Sequence, residues 1–574
     1  MVHSAAVDTL IEDAKHALGI NRLVLAVHDA SFPSEAGEDT GRGSPYTRGG
    51  HAFVAFAREL GFDGLQLGPQ GQTSASNASP YDGSAFSKSV LSLPLRCLAD
   101  GGRLDEAFVD EAVRAAPSDV ADHVYAHRVH HEALARIAAR VTAGQRADVA
   151  EFAARERWVE HDARFDARSR IHGHDGWPAW DDGVRAEDAA EASVDFEWRL
   201  GQLLLHHQHA RFRAHCASLG MRLYGDLQVG LSLRDRWCRR DLFLPRFVMG
   251  APPSRTNPEG QPWGYPVLDP HSAAAEAFFD ARVRKMLAEL DGLRLDHPHG
   301  IVCPWVYEPS LGGDDHAAVR AGGRLHESPH DPRFAASARV RWDQIDESVA
   351  PWSDSHVTHV EPAQVEAYGV LVGRVMARVK DPRDVLCEVL STCPTPLDAV
   401  MHAHGLGRFR VTQKASLVNP RDGYRSENAK PEDWIMLGNH DTEPLARVVA
   451  RWCAEGVASS RAAYLSTILA APVTPATLFL GMTAELFASR ARHVAVFFTD
   501  LFGDHALYNR PGVISHENWT LRVPHDYRAV YAARLARGEA FDLRASMAAA
   551  LRVKRPDLSS LSAKLEEGRR TSLR

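Results

Sequence analysis

The chain is short of lysine, has no paired cysteines and contains no long apolar run, and each shortage excludes a class of protein. Only eight of its 66 basic residues are lysine, and 74 acidic residues bring the net charge to −8. A protein that binds nucleic acid by neutralising phosphates needs a basic stripe, so no nucleic-acid partner is expected. The seven cysteines (Cys97, Cys216, Cys238, Cys303, Cys387, Cys393, Cys453) are odd in number, scattered and never spaced as CxxC. That argues against a disulfide framework and a zinc knuckle, and they read as reduced, mostly buried thiols. No window reaches about 18 uninterrupted apolar residues, and Met1 to Leu10 lacks a basic stretch followed by an apolar run. The expectation is a cytoplasmic protein that does not contact membranes.

What is present is the composition of an ordinary globular protein, 45% hydrophobic and 24% charged over 574 residues. Among 30 histidines, His123, His127 and His131 recur at helical spacing. No carboxylate or cysteine shares that stripe, so it reads as solvated helix decoration, and no metal is expected.

Short β-branched or leucine-rich runs alternate with longer amphipathic segments, the pattern of an α/β protein with parallel strands. The strand candidates are Arg22–Val27, Gly64–Leu67, Met221–Leu227, Gly292–His297, Val385–Leu390, Phe409–Thr412, Trp434–Leu437 and Val494–Thr499. Eight such strands fit a closed (β/α)8 TIM barrel, whose active site lies at the carboxyl ends of the strands. The long helical stretch between the second and third candidates predicts an insertion. Residues 1–102 are read as the first part of the barrel and 103–215 as a helical insertion subdomain. Residues 216–524 are the rest of the barrel, with a mouth-loop insertion over 307–361, and 525–574 a C-terminal helical extension with a frayed charged tail from Lys564.

Three strand ends carry acids in otherwise apolar runs. Arg294 and Asp296 share a face because side chains two apart in a strand point the same way. Glu388 interrupts a buried run, and Asp441 closes Gly438-Asn439-His440-Asp441. Three convergent carboxylates beside an arginine suit retaining glycoside transfer, which needs one ionised and one protonated carboxyl. Arg294 would keep Asp296 ionised as the nucleophile, and the more apolar setting of Glu388 suits a general acid/base. Asp441 would stabilise the oxocarbenium-like transition state.

These motifs resemble glycoside hydrolase family 77, the 4-α-glucanotransferases or amylomaltases, a branch of the α-amylase superfamily. The resemblance runs in order through Leu67-Gly68-Pro69, Ser79-Pro80-Tyr81, Ser84-Ala85-Phe86, Tyr224-Gly225-Asp226-Leu227 and Gly250-Ala251-Pro252-Pro253. It continues through Gly260-Gln261-Pro262-Trp263-Gly264-Tyr265-Pro266, Arg294-Leu295-Asp296-His297, Glu388, Gly438-Asn439-His440-Asp441, Asn509-Arg510-Pro511-Gly512 and Asn518-Trp519. It implies Asp296 as nucleophile, Glu388 as acid/base and Asp441 as stabiliser. It also implies sugar contacts from Tyr81, Asp226, Gln261, Trp263, Arg294, His297, Asn428, His440 and Asn509, with Tyr81 and Trp263 stacking on glucose rings. The implied partners are maltooligosaccharides or α-1,4-glucans, with no cofactor; monomer and homodimer both stay open.

The text departs from the family at Gln228-Val229-Gly230, Ser87-Lys88-Ser89-Val90, Val389, His299 and Lys414. These lie where donor length or acceptor choice is set, so the reaction class is carried over more safely than the substrate. Glucan transfer through a covalent β-glycosyl enzyme is the reading. An α-glucan hydrolase, a trehalose-forming isomerase and a catalytically silent glucan-binding paralogue remain as alternatives. A rate profile with no basic limb up to pH ~9 would count against Glu388 as general acid.

Overall fold

A parallel strand covered on both faces has no wet side, and Arg22–Val27 (β1) is buried at all six positions. The computed structural model describes residues 9–114, 118–173, 176–177, 180, 189–255, 257–310, 315–469, 472–513 and 515–572. Within them all eight expected strands form. After β1 come Gly64–Leu67 (β2), Arg222–Leu227 (β3), Gly292–Leu295 (β4), Val385–Cys387 (β5), Phe409–Val411 (β6), Trp434–Met436 (β7) and His493–Phe497 (β8).

They make one parallel eight-stranded sheet in the order β6-β7-β8-β1-β2-β3-β4-β5, and the pairing of Cys387 with Arg408 closes β5 onto β6. This is the (β/α)8 barrel anticipated from the strand count. Five strands stop earlier than expected, β4 at Leu295, β6 at Val411 and β7 at Met436 among them. β5 ends before Glu388, although the Glu388 N–H still donates to Leu295 O at 3.0 Å, and β8 turns at Phe498 straight into the helix Phe498–Phe502.

The barrel is plugged by Val24, Tyr224, Leu386, Phe409, Val411, Trp434, Met436 and Ala495. Register and the two-residue period then set the next layer. Asp226 pairs with Arg294, and Arg294 with Leu386. One step above Tyr224 and Leu386 the inward positions are therefore Asp226 and Glu388. At the opposite end, buried Asp384 accepts from Arg22 Nε (2.8 Å), Tyr224 Oη (2.7 Å) and Arg222 Nη1 (2.7 Å), tying β1, β3 and the entry to β5 together.

Between β2 and β3 stand the helices His123–Ala138, Ala143–Arg155, Trp158–His172 and Ala189–Ser218. Thr142 starts the second with a reciprocal cap to Gln145. The histidine stripe is not solvated decoration. His123 Nε2 lies 2.9 Å from Ser74 O, His131 Nδ1 lies 2.7 Å from Arg170 Nη2, and the rings of His127 and His131 are 4.2 Å apart. The stripe faces neighbouring chain because the exposed face of this helix is carried by Val124 and Arg128 instead. No metal-holding group occurs among the described residues.

The stretch carrying Gln261 and Trp263 belongs to a second sheet. Gln261–Leu268 pairs antiparallel with Phe243–Ala251, which pairs with Trp305–Tyr307 and that with Gly323–Arg324. The charged tail expected to fray is instead helical over Ser559–Ser572, with Leu565 fully buried; residues 573–574 lie outside the described residues, as do Met1 to Asp8. No described helix is long and apolar enough to cross a membrane.

Candidate active site

Arg294, 2% exposed, is the hub of the layer above the plug. Its Nη1 donates to Asp226 Oδ1 (2.8 Å) and Oδ2 (2.6 Å), to Asp296 Oδ1 (3.1 Å) and to Tyr81 Oη (3.2 Å). Its Nη2 lies 2.8 Å from Glu388 Oε2 as an ion pair without an aligned hydrogen bond. Burial works against the guanidinium, but the surrounding acids hold its pKa well above the ordinary value. One fixed cation thus holds three carboxylates from β3, the end of β4 and the end of β5.

The acids differ in their remaining partners. Asp296 Oδ2 accepts the Val229 N–H at 3.1 Å. Glu388 Oε1 accepts Asn439 Nδ2 at 3.2 Å, and its other oxygen lies 3.4 Å from the His297 N–H. Burial drives Glu388 up to about pKa 8, with Arg294 pulling down and Asp296 pushing further up. Asp441 is only partly covered, and His440 Nε2 at 3.2 Å and Asn509 Nδ2 at 2.6 Å hold it below the usual carboxylate range. Burial opposes the charge on His440 and Asp441 favours it, for a net rise. Glu388 is thus the protonated carboxyl of the group and Asp441 an ionised one, the division that paired acid and anion chemistry needs.

Aromatic rings cover this layer. Tyr81 stacks on His440 (4.8 Å between centroids) while its hydroxyl donates to Asp226 Oδ2 at 2.8 Å. Trp263 meets His297 edge to face at 4.8 Å, and its Nε1 donates to Gln261 Oε1 at 3.0 Å. His297 has φ +42°, a left-handed backbone that turns the chain sharply after Asp296.

Of the residues singled out from sequence, Tyr81, Asp226, Arg294, Asp296, Glu388, His440, Asp441 and Asn509 are joined by direct contacts. Trp263 and Gln261 join them through His297. Asn428 does not: its amide is spent on the carbonyls of Pro420 (2.8 Å) and Asp422 (3.0 Å). It braces its own loop, a local role that a short polar residue among turn formers takes readily.

Sequence reasoning missed several neighbours. Asn439 orients Glu388. His28, at the carboxyl end of β1, lies 5.2 Å from His440 and 6.0 Å from Trp519, with its Nδ1 3.1 Å from the Tyr508 hydroxyl. The signal was available, since His28 follows β1 as Asp296 follows β4. The departing residues also have places. His299 stacks on His297 at 4.2 Å, and Lys414 lies within the electrostatic reach of Asp441 and Glu388.

The residues so far assembled form an eight-stranded parallel barrel with an arginine-centred carboxylate group and an aromatic rim at its carboxyl end. The sequence profile of one family, described as 4-alpha-glucanotransferase, glycoside hydrolase family 77, matches residues 27–527. The chain belongs to this family. It is 27% identical to a Thermus thermophilus 4-alpha-glucanotransferase over 308 residues, 49% of this chain and 59% of the relative. The match thus spans about six tenths of that relative's length. Among solved structures, an amylomaltase from Streptococcus agalactiae in complex with acarbose superposes with a TM-score of 0.70 at 17% identity, covering 89% of this chain and 97% of that one. An amylomaltase from Corynebacterium glutamicum does so at 0.67 and 17%, covering 93% and 77%. These two likenesses show the fold.

Proposed function

We propose that the protein is a 4-α-glucanotransferase acting on maltooligosaccharides or α-1,4-glucans. The observation that carries this reading is the split within one carboxylate group, Glu388 raised to about 8 beside Asp296 held by Arg294. In the first half-reaction Asp296 attacks the anomeric carbon while protonated Glu388 gives its proton to the departing glycosidic oxygen. A β-glycosyl ester on Asp296 results. In the second, Glu388 takes the proton of an acceptor 4-hydroxyl as that oxygen displaces Asp296, restoring the α linkage. Asp441, kept ionised, faces the positive charge that develops on the sugar ring. Tyr81 and Trp263 offer aromatic faces to the apolar sides of glucose rings, and Asp226, Arg294, His297, His440, Gln261 and Asn509 hold hydroxyls. No cofactor enters these steps. The organisation we propose is a barrel of residues 1–102 and 216–524, a helical insertion 103–215 and a C-terminal extension 525–574, in a cytoplasmic protein.

Incubation with maltotriose tests the reading. Glucose together with longer maltooligosaccharides is the expected outcome. A net gain of reducing ends would instead mean hydrolysis, and a non-reducing product an isomerase. Asp296→Ala should bind maltooligosaccharides and show no transfer; turnover equal to that of the wild type would remove Asp296 as nucleophile.

A further inference from the structure

Every second side chain of β1 faces the barrel interior, so the column that begins with Val24 in the plug continues through Ala26 to His28, just past the strand's end. His28 is 3% exposed. Its ring centre lies 5.2 Å from His440 and 6.1 Å from Tyr81, and 6.0 Å from Trp519, to which it is nearly parallel at 16°. The surrounding chain is shaped to this ring. A Cβ at Gly68, which follows β2, would come within 2.4 Å of His28 Cδ2. Trp519 holds φ +66°, a left-handed backbone that a bulky residue keeps only where its surroundings impose it.

Hydrogen bonds fix which nitrogen of His28 carries the proton. Ser31 Oγ donates to Tyr508 Oη at 3.1 Å, which leaves the Tyr508 proton for His28 Nδ1, 3.1 Å away. Burial, then the charges of His440 and Arg294, outweigh Asp441 and push His28 well below its ordinary pKa, so the imidazole is neutral. A neutral imidazole has one N–H, and with Nδ1 accepting it stands on Nε2. That nitrogen has no hydrogen-bond partner among the described residues, and it is not sealed from solvent as His131 Nε2 is. A fixed, unspent donor between Tyr81, His440 and Trp519 is the kind of group that orients a polar ligand.

We propose that His28 is a sugar-binding residue of this site, its Nε2–H donating to one hydroxyl of the glucose ring that rests on Tyr81 and His440, in the tautomer set by Ser31 and Tyr508. This role rests on the glucan-transferase reading and adds to it a donor from β1, a strand that supplies none of the groups assigned above. A neutral donor suits the place. A further cation beside His440 and Arg294 would compete for the carboxylates that the reaction uses, whereas an uncharged N–H grips a hydroxyl and leaves the ionisation of Glu388 and Asp441 alone.

The test sets variants of the full chain against deoxygenated donors, α-glucosyl fluoride and its monodeoxy analogues, read as kcat/KM. His28→Ala should cost about three- to tenfold on the parent fluoride, and that cost should vanish with one analogue alone, the one that lacks the hydroxyl His28 holds. An equal cost on every analogue overturns the proposal, because a merely structural loss is blind to the hydroxyls of the sugar. Two more variants separate the nitrogens. A Gln amide reaches the place of Nε2 and an Asn amide that of Nδ1, so His28→Gln should keep more activity than His28→Asn. The reverse order would mean that holding Tyr508 is the whole role, and overturns it too. Should His28→Ala not fold, Tyr508→Phe carries the same comparison, since it keeps the ring packing and releases the tautomer. A wild-type chain that releases no fluoride would end the transferase reading, and calorimetry with maltotriose then decides on His28: affinity lowered about three- to tenfold by His28→Ala upholds it, and unchanged affinity overturns it.

Discussion

Burial raises Glu388 to about pKa 8, so as the proposed general acid it should set the alkaline side of the rate profile. A general acid works only while it holds its proton, so transfer should persist through neutral pH and fall as pH rises through about 8. Asp441, held below the usual range by His440 and Asn509, stays ionised throughout and adds no limb there. Glu388→Gln should lower kcat by about 10²–10⁴-fold with natural glucans and remove the alkaline limb. With an α-glucosyl fluoride donor, whose leaving group needs no proton, the first half-reaction should be largely restored; a loss equal to that with maltotriose would mean that Glu388 is not the acid. At this scale the sequence was most legible. Arg294 and Asp296 two apart on a strand, and a lone Glu388 among Val385, Leu386 and Val389, carried their chemistry in spacing and composition alone. Asn428 was not legible, because only the fold decides that its amide faces the carbonyls of its own loop.

The turn after β4 shows what an element contributes. His297 at φ +42° bends the chain so that its N–H faces Glu388 and its ring meets Trp263. A β-branched residue there is strained by about 1–3 kcal/mol, whereas asparagine tolerates the left-handed region. His297→Val should therefore lower the urea midpoint and slow transfer, and His297→Asn should keep nearly all the stability while losing the ring contact. Equal destabilisation by both would show that the backbone is not the cause. Elements also explain a departure from the family text. Ser87 bonds Asp162 on the helix Trp158–His172, and Lys88 Nζ reaches Glu289 at 2.9 Å on the helix Ala273–Glu289. The segment Ser87-Lys88-Ser89-Val90 was read as a specificity feature, and its side chains instead seam the barrel to the surrounding helices.

At the scale of the molecule the barrel divides its labour between its two ends. The carboxyl end gathers charge around Arg294; the amino end gathers it around Asp384, 1% exposed, where Arg22, Arg222 and Tyr224 converge. Residues at that end serve stability rather than chemistry. Asp384→Ala strands buried donors and should cost about 3 kcal/mol or more, read as a lower melting temperature. The kcat of the folded fraction should stay near the wild-type value; a large fall in kcat would show that strain from one end of the barrel reaches the other.

The sequence by itself determined the strands, because a parallel strand covered on both faces must be written as an uninterrupted apolar run, and it determined the three acids, because a charge in such a run is conspicuous. Their order along the chain determined the family. Only the tertiary structure decided which groups meet. Closing the barrel in register places Arg294 and its neighbour Asp296 against Asp226 and Glu388 from strands far apart in the chain. The resulting burial raises Glu388. Pairing between distant strands and the loss of water around a charge are properties of packing, and neither is written in any local stretch of residues.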